Sequence, residues 1–231
     1  MPTEKMDKQE ILAQIQETGI IPAIRVPSGA DALFAARAVF HGGIFVAEIT
    51  MTIPGALDVI STLRHELPEM MIGAGTVWRT DIARLALEAG ARFLTTTGVV
   101  PEIVAYAVRE KIPVLPGALT PTEVASAWMS GADMVKIFPC SQVGGAPYLK
   151  MLKAPFPDVR FVASGGVTQQ TAAEFILAGA DALGIGADLI PHEAIRDHRA
   201  EWIHELARRF LLMVKEARQK LSQNQDGWWY A

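Results

Sequence analysis

The chain holds one cysteine, Cys140, in 231 residues, which excludes an internal disulfide and with it any need for an oxidising compartment. Long apolar runs are missing as well. No window reaches the length of an uncharged membrane-spanning helix, and the opening Met1-Pro2-Thr3-Glu4-Lys5-Met6-Asp7-Lys8 is too polar for a signal peptide. A cytoplasmic location is therefore expected, with no membrane partner. Basic tracts are absent from a chain of net charge -4 at pH 7, so nucleic acid is not an expected partner and small molecules are. Histidine is scarce where it would count. His41, His65, His192, His198 and His204 fall on predicted helices or their flanks and none at a predicted strand end, so no metal-ligand set and no cofactor is expected.

What is present is an alternation of helices and strands. Four segments read as a helix end, a glycine and then a short apolar strand: His41-Gly42-Gly43-Ile44-Phe45-Val46, Ala89-Gly90-Ala91-Arg92-Phe93-Leu94, Ser130-Gly131-Ala132-Asp133-Met134-Val135 and Ala178-Gly179-Ala180-Asp181-Ala182-Leu183. They recur at intervals of roughly 40–50 residues, each long enough for two strand-helix units. The intervening strands are visible at Met71-Ile72-Gly73, Ile112-Pro113-Val114-Leu115 and Arg160-Phe161-Val162-Ala163, and residues 20–26 supply the first. Helix starts are signalled by Ser28 with Asp31 and by Thr120-Pro121-Thr122-Glu123, a capping box with proline at the first helical position. Residues 31–40 and 81–88 read as amphipathic helices, residues 10–18 as an extra helix before the first strand, and residues 200–220 as the last helix.

Eight such units predict an α/β fold, a (β/α)8 TIM barrel with an extra N-terminal helix. A single domain over residues 1–231 is expected. The polar segment 1–8 and the tail 222–231 are set apart from it as flexible, the tail carrying Trp228, Trp229 and Tyr230 that dock on a neighbour or stay disordered.

Chemistry in such barrels collects at the C-terminal ends of the strands. Strand one ends at Arg25, strand two at Glu48-Ile49-Thr50, strand three at Gly75-Thr76, strand four at Thr95-Thr96-Thr97, strand five at Pro116-Gly117 and strand six at Lys136. Strands seven and eight end at Ser164-Gly165-Gly166 and Gly186-Ala187. Lys136 lies in Val135-Lys136-Ile137-Phe138-Pro139, where partial desolvation favours loss of its proton and a nucleophilic amine results; the competing reading is a lysine that snorkels out or pairs for structural reasons. Glu48 beside such an amine can shuttle protons, although an ion pair that only holds the barrel is the alternative. Gly165, Gly166 and Gly186, with Ser164 and Ala187, leave backbone amides free to hold an anion ahead of a helix at Thr168, or are glycines that serve tight turns and bind nothing. Arg25 suits a carboxylate clamp or a rim salt bridge. Cys140 reads as a small packing residue.

Glu48-Ile49-Thr50, Gly73-Ala74-Gly75-Thr76-Val77, Pro116-Gly117, Val135-Lys136-Ile137-Phe138-Pro139, Gly165-Gly166-Val167 and Gly186-Ala187-Asp188-Leu189 occur in this order. Jointly, over residues 11–220, they resemble the bacterial 2-keto-3-deoxy-6-phosphogluconate / 4-hydroxy-2-oxoglutarate aldolase family. The resemblance implies a class I aldolase and homotrimer, with Lys136 as Schiff-base nucleophile, Glu48 as general acid/base through a water, and Arg25 with Thr76 on the substrate carboxylate. It implies Ser164, Gly165, Gly166, Gly186 and Ala187 around a phosphate, and Thr97 and Pro116 as further substrate contacts. Some members place the carboxylate-binding arginine after strand two, where this chain has Thr52; the chain resembles the branch that uses Arg25. Three departures bear on the substrate: Thr97 stands where members usually have proline, Ser164 where they have threonine, and Ala187 where serine is common.

The expected reaction is cleavage of a 2-keto-4-hydroxy acid, 2-keto-3-deoxy-6-phosphogluconate first, to pyruvate and glyceraldehyde 3-phosphate. The 4-hydroxy-2-oxoglutarate and phosphogalactonate substrates are alternatives. Two other classes stay open: a barrel enzyme that uses Lys136 only electrostatically, and a non-catalytic keto-acid or sugar-phosphate binding barrel.

Overall fold

The computed structural model describes residues 7–224. The strands are β1 (Ile20–Ile24), β2 (Val46–Thr50), β3 (Met71–Gly75), β4 (Phe93–Thr95), β5 (Val114–Leu115), β6 (Gly117–Ala118), β7 (Val135–Ile137), β8 (Phe161–Ser164) and β9 (Ala180–Ile185). The helices between and around them are α1 (Lys8–Thr18), α2 (Gly29–His41), α3 (Ala56–Glu66), α4 (Thr80–Ala89), α5 (Pro101–Arg109), α6 (Pro121–Met129), α7 (Gly145–Lys153), α8 (Ala172–Leu177), α9 (His192–Arg196) and α10 (Ala200–Asn224). Every strand pair is parallel, in the order β5-β4-β3-β2-β1-β9-β8-β7-β6. β5 and β6 are halves of one barrel strand split at Pro116, whose missing N–H interrupts the ladder. The sheet thus returns on itself as a (β/α)8 barrel with the expected extra helix.

Local chemistry explains the elements. Ser28 accepts from the Asp31 N–H to start α2, and Thr120 with Glu123 forms the predicted capping box at α6. The recurring glycines end helices in the left-handed region at Gly90, Gly131 and Gly179; in the first repeat that role falls to Gly43, while Gly42 stays right-handed. Where Gly-Ala is followed by aspartate, the carboxylate caps a neighbouring strand: Asp133 accepts from the Val114 N–H at 3.0 Å and Asp181 from the Phe161 N–H at 2.8 Å.

One face of each strand meets the helices and the other fills the barrel. Ile21, Val46, Met71, Phe93, Leu115, Val162 and Ala182 from the strands, with Met134 just ahead of β7, form a buried inner cluster with Ile11, Leu12 and Ile15 of α1. α1 is therefore the plug of the barrel floor. Its capping box is Asp7 with Glu10, and at its far end the Arg218 guanidinium of α10 donates to the carbonyls of Glu17 and Asp181 at 2.8 and 2.9 Å, a cation where the helix dipole is negative.

Two expectations change. The helix after Gly165-Gly166 begins at Ala172, not Thr168, because Thr168 and Thr171 hold a turn there: the Thr168 carbonyl accepts from the Thr171 and Ala172 N–H groups. The last helix continues through residue 222 to Asn224, so helix persists where a flexible tail was expected. Met1 to Met6, Trp228, Trp229 and Tyr230 lie outside the described residues.

Candidate active site

Two residues beyond the floor cluster, the inward positions change character. Val46 is followed by Glu48, Met134 by Lys136 and Val162 by Ser164, all still buried. The strand alternation that fills the floor thus delivers polar groups to the mouth. Lys136 Nζ lies 3.2 Å from Glu48 Oε2 and 3.4 Å from Oε1, with both residues at 5% exposure or less. Glycines make room for Glu48 and Ser164. A Cβ on Gly75 would sit 2.0 Å from Glu48 Oε1, and one on Gly184 would sit 2.6 Å from Ser164 Oγ.

A cavity of about 390 Å³ opens above the pair, lined by Arg25, Glu48, Thr97, Lys136, Ser164, Gly165, Gly166, Gly186 and Ala187 among others. Nine of the eleven candidate residues are thus brought to one place. Gly165 and Gly166 have φ of +84° and +85°, and a Cβ on either would meet Pro139 or Ser141 within 2.8 Å, so both the turn and the packing need glycine. Among the described residues, the N–H groups of Gly166, Val167, Ala187 and Asp188 have no hydrogen-bond partner. Free amides on two adjacent loops facing one cavity suit an anion.

The other two candidates sit elsewhere. Thr76 lines a neighbouring groove with Trp78 and reaches the cavity through Arg25, whose Nη2 donates to its Oγ1 at 3.0 Å. Its φ of +58° is unusual for a β-branched residue and aims that hydroxyl at the guanidinium. Pro116 is buried beneath the cavity, and its carbonyl accepts from the Lys136 N–H at 2.9 Å. It supports the lysine strand and is not among the residues that line the cavity. Arg25 itself is exposed at the rim. Cys140 is buried as expected, and burial pushes its thiol up to about 11.

Among the lining residues that the sequence reading does not single out, three carry chemistry: Phe138, Asp188 and His192. Lys136 Nζ lies 5.9 Å from the centre of the Phe138 ring. Asp188 stands beside the free amides of the last loop, and partial burial raises its carboxyl above the usual range. His192 lies on a helix as expected, the first residue of α9, yet it lines the cavity because the short loop after β9 brings that helix to the mouth. Among the described residues no group of three metal-ligating side chains forms, and no helix is long and apolar enough to cross a membrane.

A parallel (β/α)8 barrel with a buried amine-carboxylate pair at its C-terminal mouth has the layout of an enzyme of this architecture. Comparison with known proteins agrees. A family model, KDPG and KHG aldolase, matches residues 11–206. The 2-dehydro-3-deoxy-phosphogluconate aldolase of Pseudomonas aeruginosa is 34% identical over 205 residues, 88% of this chain and 92% of its own. The KHG/KDPG aldolase of Escherichia coli K12 is 32% identical over 190 residues, 82% of this chain and 89% of its own. A solved KDPG aldolase from Legionella pneumophila, with pyruvate captured at low pH as a covalent carbinolamine intermediate, matches at TM-score 0.80 and 32% identity, covering 89% of this chain and 98% of that one. The chain belongs to the KDPG and KHG aldolase family, whose members are carbon-carbon lyases.

Proposed function

We propose that this barrel is a class I aldolase in which Lys136 is the Schiff-base nucleophile and Glu48 the general acid/base. The observation that carries the assignment is the buried Lys136–Glu48 pair, 3.2 Å apart at the floor of the cavity. A structural ion pair so deeply buried adds little net stability, whereas an amine held against a proton acceptor is what imine chemistry requires. The Lys136 nitrogen attacks the C2 ketone of a 2-keto-4-hydroxy acid, and Glu48 moves the protons that allow the carbinolamine to lose water. Glu48, directly or through a water, then takes the C4 hydroxyl proton as the C3–C4 bond breaks. Its electrons pass into the protonated imine to give the pyruvate enamine and release the aldehyde. Protonation at C3 and hydrolysis free pyruvate and restore Lys136.

Arg25, braced by Thr76, holds the substrate carboxylate, and Thr97 contacts the chain of the substrate. The amides around Gly165, Gly166, Gly186 and Ala187, with Ser164, hold a terminal phosphate, so 2-keto-3-deoxy-6-phosphogluconate is the preferred substrate. Two features favour a second reading, 4-hydroxy-2-oxoglutarate: Ala187 offers no hydroxyl and Asp188 places a carboxylate beside the phosphate loop. A single catalytic domain, a homotrimer and a cytoplasmic location complete the proposal on family resemblance; sedimentation of the purified chain checks the trimer.

The test is pyruvate release from phosphorylated keto-deoxy-gluconate, its galactonate epimer and 4-hydroxy-2-oxoglutarate, measured side by side. The highest kcat/KM is expected for the gluconate. A higher value for 4-hydroxy-2-oxoglutarate would move the assignment to the second reading, and no release from any of the three would end it.

A further inference from the structure

Two of the buried hydroxyls near the mouth are engaged, and Ser164 lines the cavity. Thr50 donates to the Ile24 carbonyl at 3.0 Å, and Thr96 accepts from the Gly117 N–H at 3.2 Å. Thr95 is different: it is 1% exposed, and its Oγ1 has no hydrogen-bond partner among the described residues. A buried hydroxyl left unpaired loses its hydration without return. Valine would fill the same space without that cost, so packing alone gives no reason for threonine here.

The strand geometry places this hydroxyl. Along β4, Phe93 faces the inner cluster and Leu94 the outer core, so Thr95 faces inward again. β3 and β4 pair with Gly73 beside Phe93 and Ala74 beside Leu94; one step further along this register sets Gly75 beside Thr95. The Glu48 carboxylate lies directly over Gly75, where a Cβ would come within 2.0 Å of Oε1. Glu48 therefore reaches across a side-chain-free strand towards β4, and adjacent strands are only about 4.8 Å apart. Among the described residues, Lys136 Nζ is the sole donor to that carboxylate, at 3.2 and 3.4 Å, while a carboxylate can accept about four hydrogen bonds. An unused buried donor and an under-used buried acceptor thus stand on either side of Gly75.

We propose that Thr95 is a positioning residue for Glu48, its hydroxyl donating to the Glu48 carboxylate and holding it in register with Lys136 during turnover. The inference rests on Glu48 and Lys136 acting as assigned above. A donor to the ionised carboxylate favours that form, so removing it raises the pH at which Glu48 stops accepting protons. The other titratable groups lining the same cavity are Arg25, Lys136, Asp188 and His192, and none is altered by changing Thr95.

The experiment compares Thr95→Val, which keeps the shape, with Thr95→Ser, which keeps the hydroxyl. Thr95→Val is expected to lower kcat about tenfold with KM little changed, and to move the acidic limb of the kcat–pH profile up by about one unit. Its melting temperature is expected to equal or exceed that of the wild type, since an unpaired polar group has been removed. Thr95→Ser is expected to keep wild-type kcat and the wild-type limb. Should Thr95→Val fail to fold, Thr95→Ala carries the same comparison.

Wild-type kcat and pH profile in the valine variant would overturn the proposal, as would equal losses in valine and serine without a shifted limb. Trapping pyruvate on wild-type Lys136 with borohydride separates the two levels of inference. A trapped wild type with a silent Thr95→Val variant sinks Thr95 alone, and an untrapped wild type sinks the reading beneath it.

Discussion

The floor and the mouth of this barrel are built by the same strands, two residues apart, and they obey opposite rules. At the floor, Val46, Met134 and Val162 pack with Ile11, Leu12 and Ile15 of α1 into an apolar, fully covered cluster. At the mouth, the next inward residues are Glu48, Lys136 and Ser164, held against glycines that supply space and no side chain. The floor stabilises; each large aliphatic there contributes about 1.5–3 kcal/mol by leaving water. The mouth adds little, because for a buried amine-carboxylate pair the mutual attraction roughly offsets the cost of burial. The comparison teaches that the barrel's stability is kept at the end where no chemistry occurs.

Mutations that treat the two ends alike should break that contrast. Lys136→Ala is expected to lower kcat by on the order of 10⁴-fold or more, since a nucleophile that starts the reaction is removed; steady-state pyruvate release measures it. Glu48→Gln keeps the shape but cannot take a proton, and a loss of about 10²–10⁴-fold in kcat is expected, read in the same assay. At the floor, Ile15→Ala should cost about 2–5 kcal/mol in urea unfolding while leaving KM unchanged. The smallest change is Ala187→Ser, which adds a donor at the last loop. It should improve kcat/KM for the phosphorylated substrate by about fivefold, the equivalent of roughly 1 kcal/mol, and leave 4-hydroxy-2-oxoglutarate unaffected. Equal gains for both substrates would remove the phosphate from that loop.

The floor was the more legible end. Its strands follow from apolar runs and helix-ending glycines, signals that sit within a few neighbouring residues. Lys136, Glu48 and Arg25 were legible for the same reason, because each follows directly from an apolar strand. What escaped depends on how separate segments fold together. His192 reaches the cavity only because the loop after β9 turns back over the mouth, and Asp188 rides on that loop. Phe138 reads as one more strand residue, and only the folded chain brings its ring to 5.9 Å from Lys136 Nζ. Thr76 reads from the family resemblance as a substrate contact, and the folded chain adds that its hydroxyl accepts from Arg25, a partner 51 positions away in the chain that no local pattern reveals. Pro116 reads as a strand end because the proline interrupts the ladder there, and only the pairing of β5 and β6 with different neighbours shows it to be buried support. Thr168 reads as the start of α8, but Thr168 and Thr171 close a turn before the helix begins.

The central claim is that Lys136 forms a covalent bond to the keto carbon. Incubation of the wild-type chain with pyruvate and borohydride, followed by mass spectrometry of its peptides, tests it most directly. The account predicts a stable adduct confined to the peptide that carries Lys136, with activity lost in proportion to labelling; an unlabelled chain that stays fully active would contradict it.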